Sequence, residues 1–84
     1  MSPRGPADRK TSLANVLHRE YKLTPGESRV AILVADGFSY ADIADRLRIS
    51  VHTVHTHVKE IHRKLDVHSN GRAAALIRNL DDRR

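Results

Sequence analysis

Between residues 50 and 65 the chain gathers side chains able to do chemistry. His52, His55, His57 and His62, four of its six histidines, stand there with Thr53, Thr56, Lys59, Arg63 and Lys64. Two chemistries suit such a set. Imidazoles ligate transition metals, and hydroxyls, imidazoles and cations together bind the phosphates and base edges of a nucleic acid. The metal reading fails on completeness: the chain has no Cys, no carboxylate completes a ligand set, and His55 and His62 lie two helical turns apart. An enzyme reading fails for want of parts. There is no Gly-rich phosphate loop and no paired-carboxylate motif, and a set of short helices offers no deep pocket. Neither a cofactor nor a small-molecule ligand is expected within this chain.

The nucleic-acid reading gains from periodicity. Val54, Val58, Ile61 and Leu65 fall at i, i+4, i+7 and i+11, the single apolar stripe of an amphipathic helix. With that stripe at zero and about 100° added per residue, His52, Thr56, Lys59 and Arg63 lie opposite. His55 and His62 flank them on one side, Thr53 and Lys64 on the other. Glu60 is the one acid before the helix ends. An ordinary solvated face mixes both signs, so this one favours DNA recognition. His57, beside the stripe, is read as a half-buried, hydrogen-bonded histidine. The whole chain agrees in sign: 15 Lys and Arg against 10 Asp and Glu leave a net charge of +5. That balance favours a nucleic acid before an anionic membrane surface.

Eighty-four residues fit one domain with a modest core. Ser50 can cap the helix at 51–65. Before it, Ser39 starts a shorter helix with Ile43, Ala44 and Leu47 on one face, and Arg48-Ile49-Ser50 leaves room only for a tight turn. Small Ala44 lets the helix axes approach, Ile49 plugs the turn and Val54 anchors the next helix, which matches a helix-turn-helix. Thr24-Pro25-Gly26-Glu27 spells a capping box with proline at the first helical position. The run at 30–35 is apolar on every side and rich in β-branched residues, so alone it fits a buried strand. The capping box, Gly37 and a length of about 12 residues make it a central helix.

Leu13, Val16, Leu17 and Tyr21 predict a short amphipathic helix over 12–22 that must pack on something. Residues 1–11, proline-bearing and nearly without apolar side chains, are read as a disordered lead or linker. After a break at 66–70, a helix of about ten residues ends near Leu80, and 81–84 form a charged tail. The expected fold class is all-α: a four-helix helix-turn-helix bundle with a short extra N-terminal helix. No apolar run approaches the roughly 18 residues of a membrane span, and the N-terminus lacks the apolar stretch of a signal peptide, so the cytoplasm is the expected location.

Leu23-Thr24-Pro25, Glu27, Val30, Ala35, Gly37, Ile43-Ala44, Leu47, Ile49-Ser50, Thr53-Val54, His57, Ile61 and Lys64-Leu65-Asp66-Val67 together resemble the LuxR/GerE-type DNA-binding domain over residues 23–80. Leu17-His18-Arg19-Glu20-Tyr21 is similar to regulators that carry this domain at the end of a longer chain. The resemblance implies a four-helix domain, double-stranded DNA as the partner and control of transcription, with RNA polymerase a candidate second partner. It also implies that the helix at 51–65 enters the major groove. His55, Thr56 and Lys59 then face base edges, and Ser50, His52, Thr53 and Lys64 hold phosphates. The angular reading adds Arg63 to the base-facing set and agrees on Thr56 and Lys59 as its centre. His52 and His55 exchange roles with a small rotation of the helix, and both assignments stay open.

Departures from the family pattern carry expectations of their own. His55 stands where Lys or Arg is frequent, which implies weaker, pH-sensitive base contacts. Asp66 replaces a glycine and suits a left-handed cap less well. Gly71 and Arg72 replace a polar residue and an acid, so the last helix is expected to fray at its start. Ile32, at a position often charged, requires cover from 12–22 or from another chain. The last helix, through Ala73, Ala74, Leu76, Ile77 and Leu80, is the expected surface of a weak homodimer strengthened on DNA, with Ala74 and Ile77 taken as outward. The alternative is that these residues only cover the first helix of the domain. A rival function is a protein-interaction adaptor that keeps the fold; salt-dependent binding to random duplex separates the two.

Overall fold

A computed structural model describes residues 6–82, and of residues 6–11 the backbone alone. The described residues form five helices and no strand: α1 (Pro6–Tyr21), α2 (Pro25–Ala35), α3 (Tyr40–Leu47), α4 (Val51–Leu65) and α5 (Asn70–Asp82). This is the all-α bundle expected, α1 being the extra N-terminal helix.

α1 is longer than its apolar residues suggested. It takes in residues 6–11, which the composition argument placed in a disordered lead. That argument weighed only burial. A helix already nucleated by the packed Leu13 and Leu17 extends at little cost per residue, and proline is suited to a first turn. Residues 1–5 of the lead and 83–84 of the tail lie outside the described residues, while 81–82 continue α5.

α2 occupies the centre and touches each of the other four helices. Its β-branched run is held helical from both ends. Thr24 Oγ1 accepts from the Glu27 amide at 3.1 Å, and Glu27 Oε1 accepts from the Thr24 amide at 2.9 Å, completing the capping box. At the other end Gly37 has φ 93°, its amide reaching Val34 O and that of Phe38 reaching Leu33 O, the paired bonds of a Schellman close. Ile32 is buried, with Ala14 and Asn15 of α1 beside it along an open groove. Its cover therefore comes from within the chain.

Left-handed residues stop three more helices, none of them at a glycine: Lys22 (φ 63°), Arg48 (φ 58°) and Asp66 (φ 56°). Asp66 does serve as the cap of α4, with its amide and that of Val67 both reaching His62 O; a short polar side chain tolerates this region. The fraying expected at the start of α5 is also corrected. Ser69 Oγ accepts from the Arg72 amide at 3.1 Å, and its carbonyl accepts from Ala73, so the first turn is capped in place of the missing acid.

The expected dimer surface needs a larger correction. Ala73, Ala74, Ile77 and Leu80 are buried inside the chain, and of the five residues assigned to it only Leu76 is partly accessible. α5 lies chiefly against α2 and also meets α4 and α1, so its apolar stripe is consumed by the core. The small alanines bring α5 close to α2 rather than to a second chain. The side of α5 left to solvent carries Arg72, Ala75 and Asn79 next to Leu76.

Candidate nucleic-acid interface

The helix-turn-helix is built from local chemistry. Ser39 caps α3 by accepting from the Asp42 amide at 3.1 Å. At the far end Arg48 turns left-handed and the Ile49 amide reaches Ala44 O at 3.0 Å, closing the turn after the helix. Ser50 then caps α4, its Oγ accepting from the Thr53 amide at 3.0 Å and meeting Thr53 Oγ1 at 2.9 Å. Ile43, Ala44 and all four stripe residues of α4 are buried, Val54 completely. With one side of α4 committed to the core, the opposite side must face solvent.

That exposed side holds most of the expected residues. His52, His55, Thr56, Lys59 and Arg63 are all exposed, with Ser50 at the N-terminal end and Thr53 half-buried. Thr56 Oγ1 donates to His52 O at 3.2 Å, a bond that leaves both oxygen lone pairs open to another donor. Among the described residues Lys59 has no ion-pair partner. Arg63 meets Glu60 at 2.7 Å one turn back, its side chain 67% exposed. The hydrogen bond from Arg63 holds the Glu60 carboxyl below its usual range. The one acid of this face is thus already engaged, by a pair exposed enough to open when a polyanion competes. Glu60→Gln is expected to tighten binding to a random duplex about three-fold at low salt, since it frees Arg63 and removes a repelling charge. Fluorescence anisotropy measures this, and unchanged or weaker binding would place Arg63 away from the DNA.

Lys64 does not belong to this surface. Its Nζ lies 2.7 Å from Glu27 Oε1 and 3.1 Å from Lys22 O, and its side chain is only 17% exposed. Burial of Glu27 acts to raise its pKa, but the hydrogen bond from Lys64, those from Thr24 and the attraction of the ammonium together hold the carboxyl below its ordinary range. The sequence-based assignment of Lys64 to a phosphate is therefore corrected. Its charge fastens the C-terminal end of α4 to the junction of α1 and α2, where His18 Nδ1 also meets Leu23 O at 2.8 Å. The angular position of Lys64, at the edge of the polar arc, was the available warning.

Three residues near the face were not singled out by sequence. Val51, at the start of α4, is the one large hydrophobic exposed among the described residues, at 42%. Tyr40 and Asn70, the first residues of α3 and α5, contact α4 from outside. The Tyr40 ring meets His55 edge-on, and Asn70 bonds both Tyr40 and His62. His57 is half-buried as expected, beside Gly26 of α2, where an added Cβ would meet the ring at 3.5 Å, but the hydrogen bond expected of it is not found among the described residues.

Comparison with known proteins settles what kind of domain this is. The family model of bacterial regulatory proteins of the luxR family matches residues 21–77, a span that holds the capping box, the helix-turn-helix and most of α5. The chain belongs to the luxR family of bacterial regulatory proteins. This luxR-family chain is 48% identical over 48 residues to an uncharacterized response regulatory protein of Escherichia coli (strain K12), YgeK, a match covering 57% of the chain and 33% of YgeK. It is 47% identical over 47 residues to Mb0914c of Mycobacterium bovis, named among HTH-type transcriptional regulators, covering 56% of the chain and 5% of that protein. A Mycobacterium tuberculosis protein so named, Rv0890c, matches to the same extent. The matches thus span a third of YgeK and a far smaller part of the mycobacterial regulators. No solved structure matches the chain significantly. As a luxR-family member it carries a DNA-binding helix-turn-helix of the kind used in transcription regulation. Among the described residues no helix is long and apolar enough to cross a membrane.

Proposed function

We propose that this luxR-family domain binds duplex DNA sequence-specifically, in the cytoplasm and as part of a bacterial transcription regulator, with α4 lying in the major groove. The observation that carries the reading is the division of α4: four apolar residues buried on one side, and an exposed side of histidines, Thr56, Lys59 and Arg63 whose one acid is paired. His55, Thr56, Lys59 and Arg63 face base edges. Ser50, His52 and Thr53, grouped at the N-terminal end of α4, hold phosphates, helped by the free amides of that helix end. Paired binding to two half-sites runs through the solvent side of α5, where Arg72, Ala75, Leu76 and Asn79 recur at helical spacing.

A duplex selected from a random pool by the purified chain provides the specific site. Lys59→Ala is then expected to weaken that site by about ten- to a hundred-fold and to relax its base preference. Binding to random duplex should change far less. If Lys59→Ala bound specific and random duplex as the parent does, this face of α4 would not be the reading surface.

A further inference from the structure

His55 and His62 stand seven residues apart on α4 and so share one side of it, two turns apart. Side chains from two other helices close the space between them. The Tyr40 ring meets the His55 ring edge-on, centroids 4.7 Å apart and planes at 86°. Behind it, Asn70 Nδ2 donates to the Tyr40 hydroxyl at 2.8 Å, while Asn70 Oδ1 lies 2.8 Å from His62 Nε2. Both ends of the Asn70 amide are used: the NH2 donates to the tyrosine hydroxyl, and Oδ1 accepts from His62 Nε2 in the tautomer that carries its hydrogen there. The helices that bring these groups in are anchored independently, since Ser39 and Ser69 cap α3 and α5 directly before Tyr40 and Asn70.

Of the four, only His55 is exposed; Tyr40, His62 and Asn70 are partly buried. An exposed histidine turns freely about its side-chain bonds, and fixing it on a base costs that freedom. An edge-to-face ring contact is geometrically selective, and here the partner ring is itself held by a hydrogen bond. We propose that Tyr40 is a positioning residue for His55, and that Asn70, anchored by His62, keeps Tyr40 in place, so that the base-reading ring is oriented before DNA arrives. The proposal rests on the reading that α4 enters the groove with His55 facing a base. It also gives His62 a task within the protein rather than on the DNA.

The test uses the full chain and four variants: His55→Ala, Tyr40→Phe, Asn70→Ala and the double variant His55→Ala/Asn70→Ala. Loss of base preference in His55→Ala locates the base pair that His55 reads. At that pair Asn70→Ala and Tyr40→Phe are expected to lower discrimination about three- to ten-fold, the effect of freeing one ordered side chain. Binding to random duplex should stay within about two-fold, because phosphate contacts are untouched. In the His55→Ala background Asn70→Ala should add nothing. Without DNA, the His55 ring-proton resonances should move in Asn70→Ala toward those of a free histidine. Losses that follow the melting temperature and weaken every duplex alike would overturn the proposal, as would additive effects in the double variant or unmoved His55 resonances. If His55→Ala lost discrimination while Tyr40→Phe and Asn70→Ala kept it, positioning alone would fall. If His55→Ala itself kept full discrimination, the base-reading role of His55 would fall and take the proposal with it.

Discussion

Ile77→Glu is expected to destabilise the domain severely, and Leu76→Glu, one position earlier, to leave its stability intact while removing paired binding on DNA. Ile77 is 1% exposed, in the stripe of α5 that faces α2. Burying a carboxylate there costs on the order of 5 kcal/mol. A domain of this size is stable by about 4–12 kcal/mol in all, so the variant loses from about 40% to all of its stability, and near the lower bound it unfolds. Circular dichroism and thermal melting read the outcome directly. A cooperative melt near that of the parent would mean that α5 does not dock as described. Leu76 stands half-exposed beside Arg72, Ala75 and Asn79, so a charge there stays hydrated and the fold survives. Cooperativity on a duplex with two half-sites should disappear, while binding to one half-site stays within a few-fold, because only the second point of attachment is lost. Cooperativity that persisted in Leu76→Glu would remove α5 from the contact and turn attention to the outer side of α1.

Lys64→Ala is expected to lower stability by about 3 kcal/mol, the cost of leaving one partner of a buried pair uncompensated. For a domain of this length that lowers the melting temperature by about 15 °C. The salt dependence of duplex binding should not change, since the Lys64 ammonium is spent on Glu27 Oε1 and Lys22 O rather than on a phosphate. The pH dependence identifies the partner. The folded-state pKa of Glu27 lies below its ordinary value, so the pair contributes in full above the unfolded carboxylate range. That contribution is lost as pH falls through the folded-state value. The melting temperatures of the parent and Lys64→Ala should therefore converge as pH falls from the ordinary carboxylate range through the lowered folded-state value of Glu27. A variant that melted like the parent, yet lost about one unit of salt slope, would return Lys64 to the phosphate-binding set.

The residues that decide these two experiments separate what was legible in the sequence from what was not. Sequence alone determined the four helices of the domain, the turn and the family, because each rests on neighbours in the chain. A capping box needs four consecutive residues, so Thr24 and Glu27 overrode the strand-like run just after them. The left-handed stop at Gly37 and the serine caps of α3 and α4 are equally local. The stripe at Val54, Val58, Ile61 and Leu65 needed only the helical period to show which side of α4 is buried, and so which side is free to meet DNA. Tertiary structure alone decided how the other polar and apolar side chains are used. Lys64 lies on the polar arc of its helix, and only the docking of α2 brings a carboxylate from 37 residues away to meet it. Ala73, Ala74, Ile77 and Leu80 form an apolar stripe that fits a partner chain or a core equally well, until α2 is seen to fill it. Tyr40 and Asn70 give no signal along the chain, since each opens a different helix and their contact depends on where both helices settle against α4. Periodicity fixes the direction in which a side chain leaves its own helix, but whether it then meets water, DNA or another helix depends on how the helices dock.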